Sequence, residues 1–294
     1  MPRDRAVSHL MALYDLPDLM VYAVFMLGAA GLAASVCLGA WRLSPVTATK
    51  DQLDLAMRTS AAVVSALTLT LAFCAIQARS QTSEASRVVA MEVAAISGLA
   101  RLADRLGEPG LRLHADITAY LYAVVHAEFP ALAERGRDPA TQHAAEALEH
   151  AAYAAAAQAS DALAQDLIQQ TDGVDEAREN RLMAAEAGLP AAFWLLILLL
   201  MALLVSTGPL YPPRRHVAAM LAMQAAGVGA LIAFVFLMDQ PFRGHLSVSP
   251  EPYNTLQRSL AHRAAIATAA RSGLLAASPA PQDVTRRVQD ASAP

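Results

Sequence analysis

Charge is scarce in this chain. Only 16% of its 294 residues are Asp, Glu, Lys or Arg, while 55% are hydrophobic, whereas an ordinary soluble domain carries about a quarter charged residues. A soluble enzyme is therefore a poor fit. Cysteine is nearly missing, with Cys37 and Cys74 alone, which excludes a disulfide scaffold and leaves the redox compartment unread. With 14 Gly and 16 Pro the chain is neither collagen-like nor a low-complexity linker. Lys50 is the only lysine, a bias that reads as genome composition rather than as a binding specialisation. The net charge is −4 and no basic tract occurs, so nucleic acid is excluded as a partner. Phosphate loops, dinucleotide fingerprints, nucleophile elbows and zinc-protease pairs are missing as well. No catalytic or cofactor-binding residue is assigned, and the chain is not read as an enzyme.

What is present is apolar length. Residues 19–41, 59–78, 187–213 and 217–238 contain stretches long enough to cross a bilayer core of about 30 Å as helices. The run from Phe193 to Leu204 is nearly all Leu, Ile and Met, with Trp194 and Tyr211 placed to anchor its ends in an aromatic belt. The second span carries Thr59, Ser60, Ser65, Thr68, Thr70 and Gln77, polar groups that belong against other helices or water rather than lipid. The first span is too long for a signal-peptide core and follows Asp15 and Asp18 instead of a basic segment, so it reads as a retained helix.

These spans divide the chain into an N-terminal tail (1–18), a first membrane pair (19–78), an acidic extramembrane domain (79–186), a second pair (187–238), a C-terminal motif with a short helix (239–272) and a disordered tail (273–294). The segment 79–186 holds nine Arg and seventeen Asp plus Glu. Three apolar stripes at helical spacing predict a bundle. The first, Val88, Met91, Ala95, Leu99, Leu102 and Leu106, continues the second span and ends at Gly107 and Pro109. The second, Leu113, Ile117, Tyr120, Leu121 and Val124, closes at Pro130. The third, Leu148, Ala152, Ala155, Ala159, Leu163 and Leu167, closes at Gly173. With no strand-like alternation, the fold class is all-α. A last helix is expected at Thr255 to Ala270. Four spans put both termini and the insert on one side of the membrane; the tally of basic residues near helix ends, Arg178 and Arg181 among them, is nearly balanced between the sides.

Candidate sites follow from spacing. Ser65, Leu69, Phe73 and Gln77 share one slowly drifting helical face. If several copies met around an axis, rings of Leu69 and Phe73 would make a constriction that gates by dewetting; alternatively the face packs inside a four-helix protomer. Gly31, Ser35 and Gly39 form a small-residue stripe for close helix packing. Cys37 and Cys74 read as small apolar residues. Gln224 is placed to bond a neighbouring helix, and Asp239 and Arg243 to fix a corner. His143, Glu146 and His150 share a face that could hold a metal, but their spacing is not that of di-iron bundles. A solvated face is the reading adopted for them, as for His114, His126 and Glu128, and no metal site is assigned.

Four stretches together carry a resemblance: Ala72-Phe73 through Arg79 to Glu92-Val93-Ala94-Ala95-Ile96; Tyr120-Leu121-Tyr122-Ala123-Val124-Val125 with Glu128-Phe129-Pro130; Ala177-Arg178-Glu179-Asn180-Arg181-Leu182 leading to Leu189-Pro190 and Trp194; and Met238-Asp239-Gln240-Pro241-Phe242-Arg243-Gly244 with Val248-Ser249-Pro250. Over residues 20 to 256 the chain resembles the bestrophin-like domain of unknown function of bacterial membrane proteins, with Phe129 where many relatives carry Trp. The resemblance implies two membrane helices, a helical cytoplasmic region and two more membrane helices, in a multi-pass protein of the bacterial inner membrane with both termini cytoplasmic. Bestrophins are oligomeric anion channels with an apolar neck on the second membrane helix. The likeness therefore implies a homo-oligomer in the lipid bilayer, an inorganic ion as the transported species, Leu69 and Phe73 as neck residues, and Asp239, Pro241, Phe242, Arg243 and Gly244 as the family's terminal motif. The rival reading is a non-conducting scaffold or sensor whose acidic helices bind a protein partner.

Overall fold

The computed structural model describes residues 12–43, 49–134, 136–212, 214–244 and 246–271; the expected disordered tail, 273–294, lies outside the described residues, as do residues 1–11. Among the described residues there is no strand, and the fold is all-α. The first membrane helix, α1, is Asp18–Leu43, and α2 is Lys50–Ala103. The helical bundle between the two pairs adds α3 (Glu108–Ala123), a π-helical turn (Val124–Glu128), the short α4 (Phe129–Ala133), α5 (Pro139–Ala156) and α6 (Asp161–Glu186). The second membrane pair is α7 (Ala191–Ser206) and α8 (Arg215–Met238). Four helical segments are long and apolar enough to cross a membrane: Asp18–Arg42, part of Lys50–Ala103, part of Asp161–Leu210, and Arg215–Met238.

The helix α2 organises the molecule. Thr49 starts it with a capping box: the Gln52 backbone N–H donates to Thr49 Oγ1 at 3.4 Å and the Thr49 N–H to Gln52 Oε1 at 3.0 Å. It then runs without interruption for 54 residues, about 81 Å at 1.5 Å per residue. Second span and first bundle helix are thus one rod. Its buried residues, among them Ser60, Leu67, Leu71, Cys74, Ala78, Ala85, Glu92, Ile96 and Ala103, fall on one side of that rod, with Gly98 the exception near its end.

In the membrane half, Leu67, Leu71 and Cys74 of α2 join Ile197, Met201 and Leu204 of α7, Ala225, Val228 and Val235 of α8 and Ala29 and Ala33 of α1 in one apolar core. The antiparallel α1 and α8 pack tightly along their length. Val21, Ala29, Ala33 and Cys37 are buried at multiples of four along α1, a ridge for close packing. A Cβ at Gly229 would stand 2.5 Å from the Phe25 carbonyl oxygen, so glycine sets this distance. The predicted stripe Gly31, Ser35, Gly39 does not serve here. Gly31 and Ser35 are exposed, and a Cβ at Gly31 or Gly39 meets nothing within 4 Å. Offset by two residues from Ala29, Ala33 and Cys37, that stripe lies on nearly the opposite side of α1. At the loop end, Ser60 Oγ and Thr207 Oγ1 share a 2.8 Å hydrogen bond, Tyr211 donates its hydroxyl to Ser60, and Trp41 Nε1 donates to the Tyr211 carbonyl. Cys37 and Cys74 are both buried.

In the bundle, Leu113, Ile117, Tyr120, Leu121 and Val124 are fully buried as the periodicity predicts. Three details differ. Met91 is 46% exposed while Glu92 is fully buried, so the buried face of α2 runs through Val88, Glu92, Ile96 and Leu99. Pro130 does not close the helix. The π-helical turn before it closes with the Phe129 N–H donating to the Val124 carbonyl, and helix continues to Ala133; Pro130 then sits in a first turn, where its missing N–H costs nothing. The third stripe is two helices, broken at Ser160-Asp161, an N-cap residue followed by an acid in the first turn. Gly173 lies inside α6, because a mid-helix glycine costs only about 1 kcal/mol and the buried line Leu167, Thr171, Val174, Ala177 and Arg181 offsets it.

The third span is also shorter than its apolar run. The helix α7 stops at Ser206 and a 3-10 turn follows at Gly208–Leu210. A separate compact unit begins at Pro250, and its described part is α9, Glu251–Arg271. It starts four residues before the expected Thr255, because Pro252 is tolerated in a first helical turn.

Candidate functional site

The side of α2 opposite its buried face is open from Asp51 to Ala94; beyond that, Gly98 on the same side is buried against Gln170. Ser65 and Gln77 are exposed, Leu69 is 73% exposed and Phe73 is 54% exposed. Ser65, Leu69 and Gln77 thus stand largely free of the protomer's other helices, while Phe73 packs in part, meeting the Phe193 ring at 5.8 Å between centroids. The hydroxyls of Ser65 and Thr70 donate back to the carbonyls of Ala61 and Ala66, at 2.8 and 2.9 Å, which removes part of the cost of an apolar setting. Thr59 and Thr68 are exposed as well. Ile76 extends the apolar part of the line at 69% exposure. Two ion pairs stand further out along it, Asp54 with Arg58 at 2.8 Å and Glu84 with Arg87 at 2.5 Å. The hydrogen bonds from Arg87 hold the Glu84 carboxyl below the usual carboxylate range.

The terminal motif makes a buried corner. Asp239 Oδ1 accepts the Leu189 backbone N–H at 2.6 Å, tying the end of α8 to the start of α7. The Phe242 ring meets Phe129 edge-on at 5.7 Å between centroids, and the Arg243 guanidinium lies 5.7 Å from the Tyr14 ring centroid. Tyr14 in turn donates its hydroxyl to the Phe236 carbonyl at 2.9 Å. The Val248 N–H donates to the Pro241 carbonyl at 2.7 Å, and Gly244, at φ 85°, supplies the left-handed turn that brings the chain back. These contacts make Asp239, Pro241, Phe242, Arg243 and Gly244 a junction between the membrane helices, the bundle and the N-terminal segment.

The bundle hides a polar cluster that spacing did not reveal. Arg181, with no exposed side chain, donates Nε to Glu92 Oε2 at 2.6 Å and Nη2 to Glu128 Oε2 at 2.5 Å. Arg178 Nη2 donates to Glu128 Oε1 at 2.8 Å, and its Nη1 to Gln142 Oε1 at 2.8 Å. The Tyr120 hydroxyl donates to Glu92 Oε1 at 2.6 Å. Two carboxylates and two guanidiniums balance, in a setting where one unpaired charge would cost several kcal/mol. Contributions come from α2, α3, the π-helical turn, α5 and α6, so the cluster locks the bundle to the long helix. The Arg181 guanidinium also lies 5.9 Å from the Phe129 ring centroid, and Phe129 thereby links the cluster to the Phe242 corner. Arg178 and Arg181 are thus interior residues rather than the surface charges of the topology tally. The sequence does carry a signal for them: Arg178 and Arg181 stand one turn apart, between Val174 and Leu182, on the buried face of α6.

The histidine candidates are dispersed. His143 is 81% exposed and stands 3.6 Å from Glu146, the His150 ring lies against the Glu146 carbonyl, and His114 pairs with Asp104 at 2.7 Å. His126 bonds the Tyr122 carbonyl and stacks on its ring. Among the described residues no group of three His, Cys, Asp or Glu comes together to hold a metal ion. Gln224 is half-buried beside Ala33, Leu204 and Gly208.

The bestrophin-like domain matches residues 23–253. Structures of a bacterial bestrophin homologue from Klebsiella pneumoniae share the fold. One point variant has a TM-score of 0.61 at 13% identity, covering 81% of this chain and 97% of that one. Another structure of that homologue gives 0.59 at 14% identity, over 81% and 96%. A further structure, of a membrane protein, gives 0.60 at 13% identity, over 81% and 97%. No curated protein matches the chain. With a domain match over most of its length and four helical segments of membrane-crossing length and composition, this is a membrane protein, and the chain belongs to the bestrophin-like domain family.

Proposed function

We propose that copies of this chain assemble around α2 and that the assembly conducts anions across the bacterial inner membrane, with the bundle and both termini in the cytoplasm. The observation that carries this reading is the open side of α2, where Ser65, Leu69, Phe73 and Gln77 all stand exposed in the protomer. Hydroxyl and amide groups are costly against lipid, so a line that mixes them with Leu and Phe suits an axis shared by several copies. Around that axis Leu69 and Phe73 would form a constriction that opens by wetting, with polar rings at Ser65 and Gln77 on either side. Membership of the bestrophin-like family supports the same placement, since the neck of bestrophins lies on the second membrane helix.

Ion flux from purified protein in liposomes, under chloride and under potassium gradients, tests the reading. Chloride flux that changes in Leu69→Ala and Phe73→Ala while the assembly stays intact is the expected result. Absence of flux from folded, oligomeric protein would overturn it in favour of a non-conducting scaffold that presents the acidic bundle to a protein partner.

A further inference from the structure

The open line of α2 does not end at the membrane. With about 100° per residue, Leu69, Phe73, Ile76, Ser80, Glu84 and Arg87 all lie within about 60° of one line along the helix, and every one of them is exposed. From Arg58 to Glu84 that line carries no charged residue, a distance of about 39 Å and so longer than a hydrocarbon core of about 30 Å. Charge resumes with the Glu84–Arg87 pair, about 21 Å beyond Phe73 at Arg87. In that pair Nε and Nη2 of Arg87 both donate to the Glu84 carboxylate. Arg79, also exposed, stands about a quarter turn aside, which leaves a surplus of one positive charge per copy. After Glu84 the next acid on α2, Glu92, is buried on the opposite side.

We propose that Arg87, balanced by Glu84 and assisted by Arg79, forms the ring that selects ions by charge at the domain-side mouth of the pore. The inference rests on the reading of α2 as pore-lining. Copies arranged around α2 would place these groups as a narrow charged ring just outside an uncharged neck, where a small change in net charge is amplified in the local ion concentration. Glu84 sets the balance: Arg87 and Arg79 together outweigh it by one positive charge per copy, and that surplus favours anions.

The test is the chloride-to-potassium permeability ratio, from reversal potentials under a KCl gradient, for the full chain in planar bilayers. Arg87→Gln is expected to lower the ratio by about threefold or more, Glu84→Gln to raise it by a similar factor, and Arg87→Lys to keep it. Both changed residues are exposed, so the fold is retained, and Leu69→Ala serves as the control for the pore itself. Unchanged ratios in Arg87→Gln and Glu84→Gln, with conductance altered by Leu69→Ala, would overturn the ring and leave the pore standing. No current from folded, oligomeric wild-type protein would overturn both.

Discussion

The two membrane helices α2 and α7 are both open on one side, and the character of the open side separates them. On α7 the exposed residues include Leu195, Leu198 and Leu199, at 69%, 66% and 56%, an unbroken hydrocarbon surface that lipid tails suit. On α2 the exposed residues include Ser65, Thr68 and Gln77 among Leu69, Phe73 and Ile76. Exposure alone thus says nothing about what covers a membrane helix; the mixture of groups does. The buried sides differ too. That of α7 is purely apolar through Ile197, Met201 and Leu204, whereas that of α2 passes from Leu67 and Leu71 to Glu92 in the bundle.

Breaking the buried charge cluster should have the largest effect. Arg181→Ala leaves Glu92 buried with only the Tyr120 hydroxyl of these partners and Glu128 with Arg178, and a loss of about 3–5 kcal/mol is expected, read as a collapse of the bundle in chemical or thermal denaturation in detergent. Asp239→Ala removes the acceptor of the Leu189 N–H at the head of α7. It should cost about 2 kcal/mol and loosen the α7–α8 corner, visible as faster amide exchange at Leu189. Leu69→Ala and Leu198→Ala sharpen the comparison most finely. Each should change stability by less than about 0.5 kcal/mol, but only Leu69→Ala should alter conductance.

The membrane helices and their order were legible because about twenty uncharged residues in a row have few other uses. The second stripe was legible because Leu113, Ile117, Tyr120, Leu121 and Val124 repeat cleanly. Glu92 was not. A charge inside an apolar stripe reads as a solvent position until its partners are known, and those partners lie 89 residues away at Arg181 and 28 residues away at Tyr120. The apolar pattern therefore runs through Met91 instead. Pro130 misled for a local reason, since the π-helical turn that admits it leaves no mark in composition. On α1, small residues recur on two sides, Ala29, Ala33 and Cys37 on one and Gly31, Ser35 and Gly39 on the other; which side packs was decided by Gly229 on α8, a contact across some two hundred residues. The terminal motif was visible as a cluster of turn formers, but its role as a junction depends on Leu189, Phe129 and Tyr14, which no spacing connects.

On the pore reading the open line of α2 meets water between copies, whereas that of α7 meets lipid. Its most direct test is the labelling of Ser65→Cys, Gln77→Cys and Leu198→Cys by a charged, membrane-impermeant thiol reagent, in folded protein reconstituted in liposomes with the reagent on both sides, against the wild type with its buried Cys37 and Cys74. Labelling at positions 65 and 77 and none at 198 is the expected result. Equal protection of all three positions would place α2 against lipid or a dry interface and contradict the pore.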